Sequence, residues 1–211
     1  MIKLYCFGES GNAYKAALPL SLSGLEWEPV KVDFFGGEAR SPEYTALNNM
    51  AEVPVLVDGD VTISQSGVIQ MYISEKTGKF GGTTKEEARE ITRWMFWDNH
   101  KMSSQCGTQR FLMNFVPEDK RPKEVIAFNA GRLKAAFKTL DAALDGRDWL
   151  VGDGPSHADF SCCGYLFYPE PFGFDRKDWG NIDRWLSNIE QIDGWKHPYD
   201  LMPGRPSDRG L

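Results

Sequence analysis

Two short groups of residues in this chain have the chemistry to hold a small ligand through main-chain atoms. The first is Val53-Pro54 and the second is Gln65-Ser66. A cis bond before Pro54 is expected to leave the main chain of Val53 unpaired and facing outward, where it can pair with an extended, peptide-like backbone. Gln65 and Ser66 open a helical run, and free N–H groups at a helix start attract carboxylates. Together the two groups suit a molecule with a peptide-like backbone and a terminal carboxylate. The same residues also describe a hairpin followed by a capped helix with no ligand, and from this stretch alone the two readings stand level.

The elements that must position these groups surround them in residues 51–73, AEVPVLVDGDVTISQSGVIQMYI. A residue before proline is pushed towards an extended conformation, which starts a strand at Val53. Val55, Leu56 and Val57 continue it, Asp58-Gly59-Asp60 is a tight turn, and Val61 to Ile63 pairs back. Pro54 stands at the entry of the hairpin, where its missing N–H does no harm. The helix that follows is expected to turn Val68, Ile69, Tyr72 and Ile73 to one side.

This succession resembles the glutathione site of the glutathione S-transferase family. The residues that carry the resemblance are Val53-Pro54-Val55-Leu56, the turn Asp58-Gly59-Asp60 and the pair Gln65-Ser66, in order and at matching spacing. Upstream, Leu47-Asn48-Asn49-Met50-Ala51-Glu52 resembles the family's Asn-Pro-x-Gly-x stretch, with departures at Asn49, Ala51 and Glu52. The resemblance runs from Met1 to about His197.

Composition sets the wider frame. The chain has 211 residues, 41% hydrophobic and 26% charged, enough for a real core in one large domain or two small ones. Its formal net charge of −6 argues against a nucleic-acid partner. No apolar run approaches the ~18 residues of a membrane span. The start, Met1-Ile2-Lys3-Leu4, leads straight into a strand and shows no signal peptide. Cys6, Cys106, Cys162 and Cys163 show no metal-ligand or Cys-x-x-Cys spacing, so they are expected to be reduced thiols in a cytoplasmic protein, with no metal site.

Along the first half, residues 2–6 read as a strand, 12–22 as a helix closed by Gly24, 27–33 as a second strand, and Ser41 as the cap of a short helix through Leu47. Pro19 falls inside the first helix, where a kink is expected. The order resembles a thioredoxin-like domain. A redox member would carry Cys-x-x-Cys after the first strand; here Ser10-Gly11-Asn12-Ala13 stands instead. Residues 77–86 are polar and glycine-rich and read as a linker. Beyond it, Thr84 and Glu87 form a capping box for a long helix past Trp97 and His100. Leu133, Phe137, Leu140 and Leu144 mark a second long helix, Ser156 and Asp159 a second capping box, and Ile182, Trp185, Leu186 and Ile189 a last helix. Pro169-Glu170-Pro171 is expected to end the helix begun at Ser156, and the tail from His197 to be irregular. The fold class is therefore α/β plus all-α: a thioredoxin-like glutathione-binding domain at 1–76, a linker at 77–86 and a helical domain at 87–211.

The resemblance implies a cytoplasmic homodimer that uses glutathione as co-substrate and conjugates its thiolate to a small hydrophobic electrophile. A free thiol has a pKa near ~8.5, and a hydroxyl donor together with a helix N-terminus lowers it. Ser10, which opens the first helix, is the leading donor; Asn12 and Tyr5 are rivals, and Cys6 is a buried thiol rather than a nucleophile. The resemblance assigns the main chain of Val53, beside Pro54, to the cysteinyl group and Gln65 with Ser66 to the γ-glutamyl end. Gln65 departs from the common Glu. Glu52 stands where many members have Lys, Gln or Arg, and Arg40 is a candidate for the glycine carboxylate. Trp97, His100, Lys101 and Phe111 are candidate walls of an electrophile pocket between the domains. Two other outcomes share this scaffold: a glutathione-dependent isomerase or peroxidase, and a non-catalytic interaction protein.

Overall fold

The computed structural model describes residues 1–209. The chain divides into two compact units. One is Met1–Phe80 joined by the segment from Asp193 onward; the other is Gly81–Ile192.

The first unit is built on a four-stranded sheet in the order β2-β1-β3-β4, from β1 (Ile2–Cys6), β2 (Trp27–Lys31), β3 (Val55–Asp58) and β4 (Val61–Ser64). β1 and β2 run parallel, with Leu4 opposite Pro29. Pro29 lies on an edge strand, the position where proline's missing donor is tolerated. β3 runs antiparallel to both β1 and β4. The period of two along β1 sends Ile2, Leu4 and Cys6 to one fully buried face. Tyr5 goes to the other, against Val32, Ala39, Tyr44 and Val55. The second strand stops at Lys31, two residues before the expected end, because Asp33 turns into a loop and accepts a hydrogen bond from Gly36 N at 2.9 Å.

Helices α1 (Gly11–Ser23), α2 (Pro42–Leu47) and α3 (Ser66–Thr77) complete this unit, with α1 packed against α3. α1 ends at Gly24 in the left-handed conformation, φ 83°. Pro19 inside α1 has a structural partner that was not legible in the sequence. It cannot donate to the carbonyl of Lys15 four residues back. Gln70, fully buried on α3, donates to that carbonyl at 2.9 Å and takes the place of the missing amide. On α3 the buried stripe is Ile69, Gln70 and Ile73; Val68, expected on the same side, lies one residue off it and is half exposed.

The second unit contains α4 (Lys85–Trp97), α5 (Ser104–Asn114), α6 (Lys123–Ala143), α7 (His157–Cys162) and α8 (Gly180–Glu190). Thr84 caps α4 through Glu87 N at 3.1 Å, while the Glu87 carboxylate reaches one residue further back, to the amide and hydroxyl of Thr83. Between α4 and α5 the backbone winds as a π-helix over Asp98–Ser103. Ser103 Oγ donates to Asp98 Oδ1 at 2.9 Å, a pair spaced by the same five residues as the π ladder, and both side chains are buried. The capping box at α7 is fully made. Asp159 accepts from Leu150 N, Ser156 N, Ser156 Oγ and Trp185 Nε1, all between 2.8 and 2.9 Å. Burial pushes this carboxyl's pKa up, and the four donors oppose the shift. α7 ends at Cys162, well before Pro169, and a buried run of turns follows it.

The sequence reading placed all of 87–211 in the helical domain. The structure corrects this: the segment from Asp193 packs with the first unit. Its short helix α9 (Pro198–Leu201) contacts α1, and the Tyr14 hydroxyl donates to the carbonyl of Lys196 at 2.9 Å. Gly8 N donates to Pro203 O at 2.6 Å, and a Cβ on Gly8 would stand 2.1 Å from Gly204 O, so only glycine admits this docking. Gly210 and Leu211, included in the expected irregular tail, lie outside the described residues. All four cysteines are free and buried.

Candidate functional site

The register of β1 against β3 brings the two ends of the candidate site together. Tyr5 pairs with Val55. Val53 and Pro54 therefore precede the ladder beside the point where β1 gives way to the turn carrying Ser10. The Val53–Pro54 bond is cis. Ser10 is the N-cap of α1 in an extended conformation, and its Oγ accepts from Ala13 N at 3.1 Å. With its oxygen occupied as an acceptor, the hydroxyl keeps its proton to donate, at the positive end of a thirteen-residue helix.

The rivals are placed differently. Asn12 lies in the first turn of α1, and its buried Oδ1 has no hydrogen-bond partner among the described residues. The ring of Tyr5 packs on the α2 side of the sheet, edge-on to Tyr44 at 6.3 Å. Burial pushes the Cys6 thiol up to about 12, so it stays protonated at neutral pH.

Gln65 and Ser66 are where a helix mouth was expected. Gln65 is the N-cap of α3 with φ 70° and ψ 118°, a sparsely populated conformation that costs a non-glycine residue about 1–3 kcal/mol. No side chain caps the helix, so its first-turn N–H groups are available to a ligand. Gln65 Nε2 donates to Glu52 Oε2 at 3.1 Å and also meets Met50 Sδ at 3.3 Å.

Comparison with known proteins decides the family. Residues 1–75 match the family described as "Glutathione S-transferase, N-terminal domain", and residues 105–193 match "Glutathione S-transferase, C-terminal domain". The chain belongs to the glutathione S-transferase family. Over 199 residues it is 31% identical to glutathione S-transferase F10 of Arabidopsis thaliana, covering 88% of this chain and 90% of that protein. It is 26% identical to glutathione S-transferase D6 of Drosophila melanogaster, covering 91% and 89%. A crystal structure of a glutathione S-transferase from Xanthobacter autotrophicus superposes with a TM-score of 0.87 at 27% identity, over 100% of each chain.

Within this glutathione S-transferase frame, sequence reasoning missed the residues that hold the Val53 loop. The carbonyl of Glu52 accepts from the Tyr44 hydroxyl and from Asn48 Nδ2, each at 2.9 Å. Asn48 is buried, and its Oδ1 also accepts from Met50 N at 3.1 Å. One side chain thus forms the turn and clamps its exit. The Asn-Pro-x-Gly-like stretch was the available signal for Asn48; nothing in the sequence marks Tyr44. Ala51, a departure from the family glycine, adopts φ 54° all the same. Arg40 is exposed, and among the described residues no hydrogen bond or ion pair fixes its guanidinium.

The electrophile-pocket candidates all belong to the second unit. Trp97 is half-buried and edge-on to Trp94 at 5.1 Å. His100 and Lys101 are exposed on the π-helical segment, and Phe111 is exposed and stacked on Phe115. The first unit has a cavity of its own, of about 270 Å³, lined by Phe7, Phe34, Phe35, Val32, Lys31 and Arg205 among others. Glu9, next to Ser10, also lines it. Phe7 stacks on Phe34 at 4.9 Å and meets Phe35 edge-on at 5.7 Å. Two adjacent aromatics before Gly36-Gly37 are the sign of this cavity that the sequence offers. Among the described residues no group of His, Cys, Asp or Glu could hold a metal ion, and no helix is long and apolar enough to cross a membrane.

Proposed function

We propose that this protein binds glutathione and transfers its thiolate to a small hydrophobic electrophile. In this reading the main chain of Val53 pairs with the cysteinyl unit, the α3 mouth at Gln65 and Ser66 takes the γ-glutamyl carboxylate, and Arg40 is within the loop that meets the glycine end. Ser10 donates to the sulfur. The observation that carries the proposal is the state of Ser10: a helix-capping hydroxyl whose oxygen already accepts from Ala13 N, leaving its proton for an anion. The cavity beside Glu9 offers the rings of Phe7, Phe34 and Phe35 as a stacking wall for an aromatic electrophile, with Lys31, Asp33 and Arg205 as a polar rim. Attack on a chlorinated nitroaromatic then forms a C–S bond and expels chloride, with the thiol proton passing to solvent.

Calorimetry with glutathione followed by a conjugation assay with a chlorinated dinitroaromatic tests this. Micromolar-to-millimolar binding and Ser10-dependent release of chloride are expected. Binding with turnover only of a hydroperoxide or of a cis-trans isomerisable substrate would assign the peroxidase or isomerase chemistry instead. No binding at millimolar glutathione would leave a scaffold protein. The same reading makes the protein a cytoplasmic homodimer acting in detoxification. Exposed Met50, Val68 and Met71 are apolar side chains such an assembly would cover, and sedimentation at micromolar concentration reads its mass.

A further inference from the structure

Glu52 and Gln65 share one hydrogen bond, Gln65 Nε2 to Glu52 Oε2 at 3.1 Å, and both side chains are exposed. Glu52 makes no ion pair among the described residues, so its charge is uncompensated. Its carbonyl is pinned by Tyr44 and Asn48, which fixes the point from which the side chain starts. Gln65 is the N-cap of α3, so the bond holds a carboxylate beside the helix mouth.

Resting on the glutathione reading, the chemistry of the ligand's γ-glutamyl end now matters. That end carries a carboxylate and an ammonium on the same carbon. Helix N–H groups suit the carboxylate and repel the ammonium. The ammonium needs an acceptor with negative charge a few ångströms from the same mouth. Gln65 is neutral, and its amide N–H is already given to Glu52. We propose that Glu52 supplies the charge that recognises the ligand's α-ammonium, with Gln65 as the bridge that holds it in place. The site then selects thiol peptides whose α-amino group is free.

The test uses two peptides: glutathione, and glutaryl-cysteinylglycine, which lacks only the ammonium. Binding of each to the wild type, to Glu52→Gln and to the exchanged pair Glu52→Gln/Gln65→Glu is measured by calorimetry at low and at 1 M salt. Glutamine at 52 keeps an oxygen to accept from Gln65, so the loop is retained. An exposed ion pair contributes up to about 1 kcal/mol, which is about fivefold in affinity. The wild type is expected to prefer glutathione by roughly three- to tenfold at low salt, with the preference shrinking at high salt. Glu52→Gln should erase that preference while leaving the glutaryl peptide within about twofold, and the exchanged pair should restore it. Equal weakening of both peptides by Glu52→Gln, or tighter glutathione binding, overturns this assignment while the glutathione reading survives. Failure of the wild type to bind either peptide overturns both.

Discussion

Replacing Ser10 with alanine separates two roles that one hydroxyl plays. Its oxygen caps α1 through Ala13 N, and loss of such a cap costs about 1 kcal/mol of stability. Its proton is assigned here to the glutathione sulfur. A hydrogen bond to a charged acceptor contributes about 1.5–3 kcal/mol, and one pKa unit corresponds to about 1.4 kcal/mol, so the thiol pKa of bound glutathione should rise by about 1–2 units. The donor favours the ionised form, so its removal shifts the pH profile upward. At neutral pH the thiolate fraction and kcat/KM fall roughly tenfold or more, and activity recovers as pH rises through the new pKa. Thiolate absorbance in the ultraviolet, followed against pH with glutathione bound, measures the shift directly. Ser10→Thr retains both bonds and should restore both values. A Ser10→Ala protein with a lowered Tm but an unchanged thiol pKa would reduce the residue to a helix cap. Should Asn12→Ala raise the pKa instead, the role belongs to Asn12; removal of its unpartnered buried oxygen should otherwise leave stability unchanged or slightly improved.

Further outcomes follow from other contacts. Gln70→Leu removes the Gln70 donor from the buried Lys15 carbonyl and should cost about 1–3 kcal/mol in chemical denaturation; in a Pro19→Ala background, where residue 19 regains its amide, the cost should shrink by at least half. Ala51→Gly should stabilise by up to about 1 kcal/mol, since glycine holds φ 54° without a Cβ conflict, and an unchanged midpoint would speak against strain there. Lys76, and then Tyr72, hold the Asp58 carboxyl below its ordinary pKa. The stability this adds is complete above the usual carboxylate range and is lost as pH falls through the lowered value, so Asp58→Asn should flatten the acid limb of Tm against pH. Cys6, with its thiol pushed up to about 12, should resist iodoacetamide in the native protein and react only on unfolding, as mass spectrometry of the peptide would show.

Local rules carried most of the architecture. Periodicity and capping residues placed α1, the β3–β4 hairpin, the Thr84 cap and the box at Ser156, because caps and turns depend on neighbours a few residues away; the Glu87 half of the expected box at Thr84 goes to Thr83 instead. The long-range features were out of reach. Gln70 serves Pro19 across 55 positions of sequence to the Lys15 carbonyl, and no local pattern announces that. Nothing local marks Tyr44, a buried aromatic whose hydroxyl fixes the Glu52 carbonyl. The π-helical turn over Asp98–Ser103 was hidden because it carries no glycine or proline to interrupt the helix; it shows in the Asp98–Ser103 hydrogen bond. At the candidate site, residue types were legible, but the bond joining Gln65 to Glu52 was not, since a departure from a family pattern does not say what compensates it.

The strand-and-helix unit is discontinuous in the chain, and this bears on biosynthesis. Its N-terminal eighty residues leave the ribosome first, but the segment that seats on Gly8 and Tyr14 follows only after all of Gly81–Ile192 has been made. The helical unit is contiguous and can finish folding while the earlier-made one still lacks its closing strap. During that interval the turn that carries Ser10 has no tail lying across it, and a nascent chain stalled before Asp193 would offer that turn to chaperones or proteases.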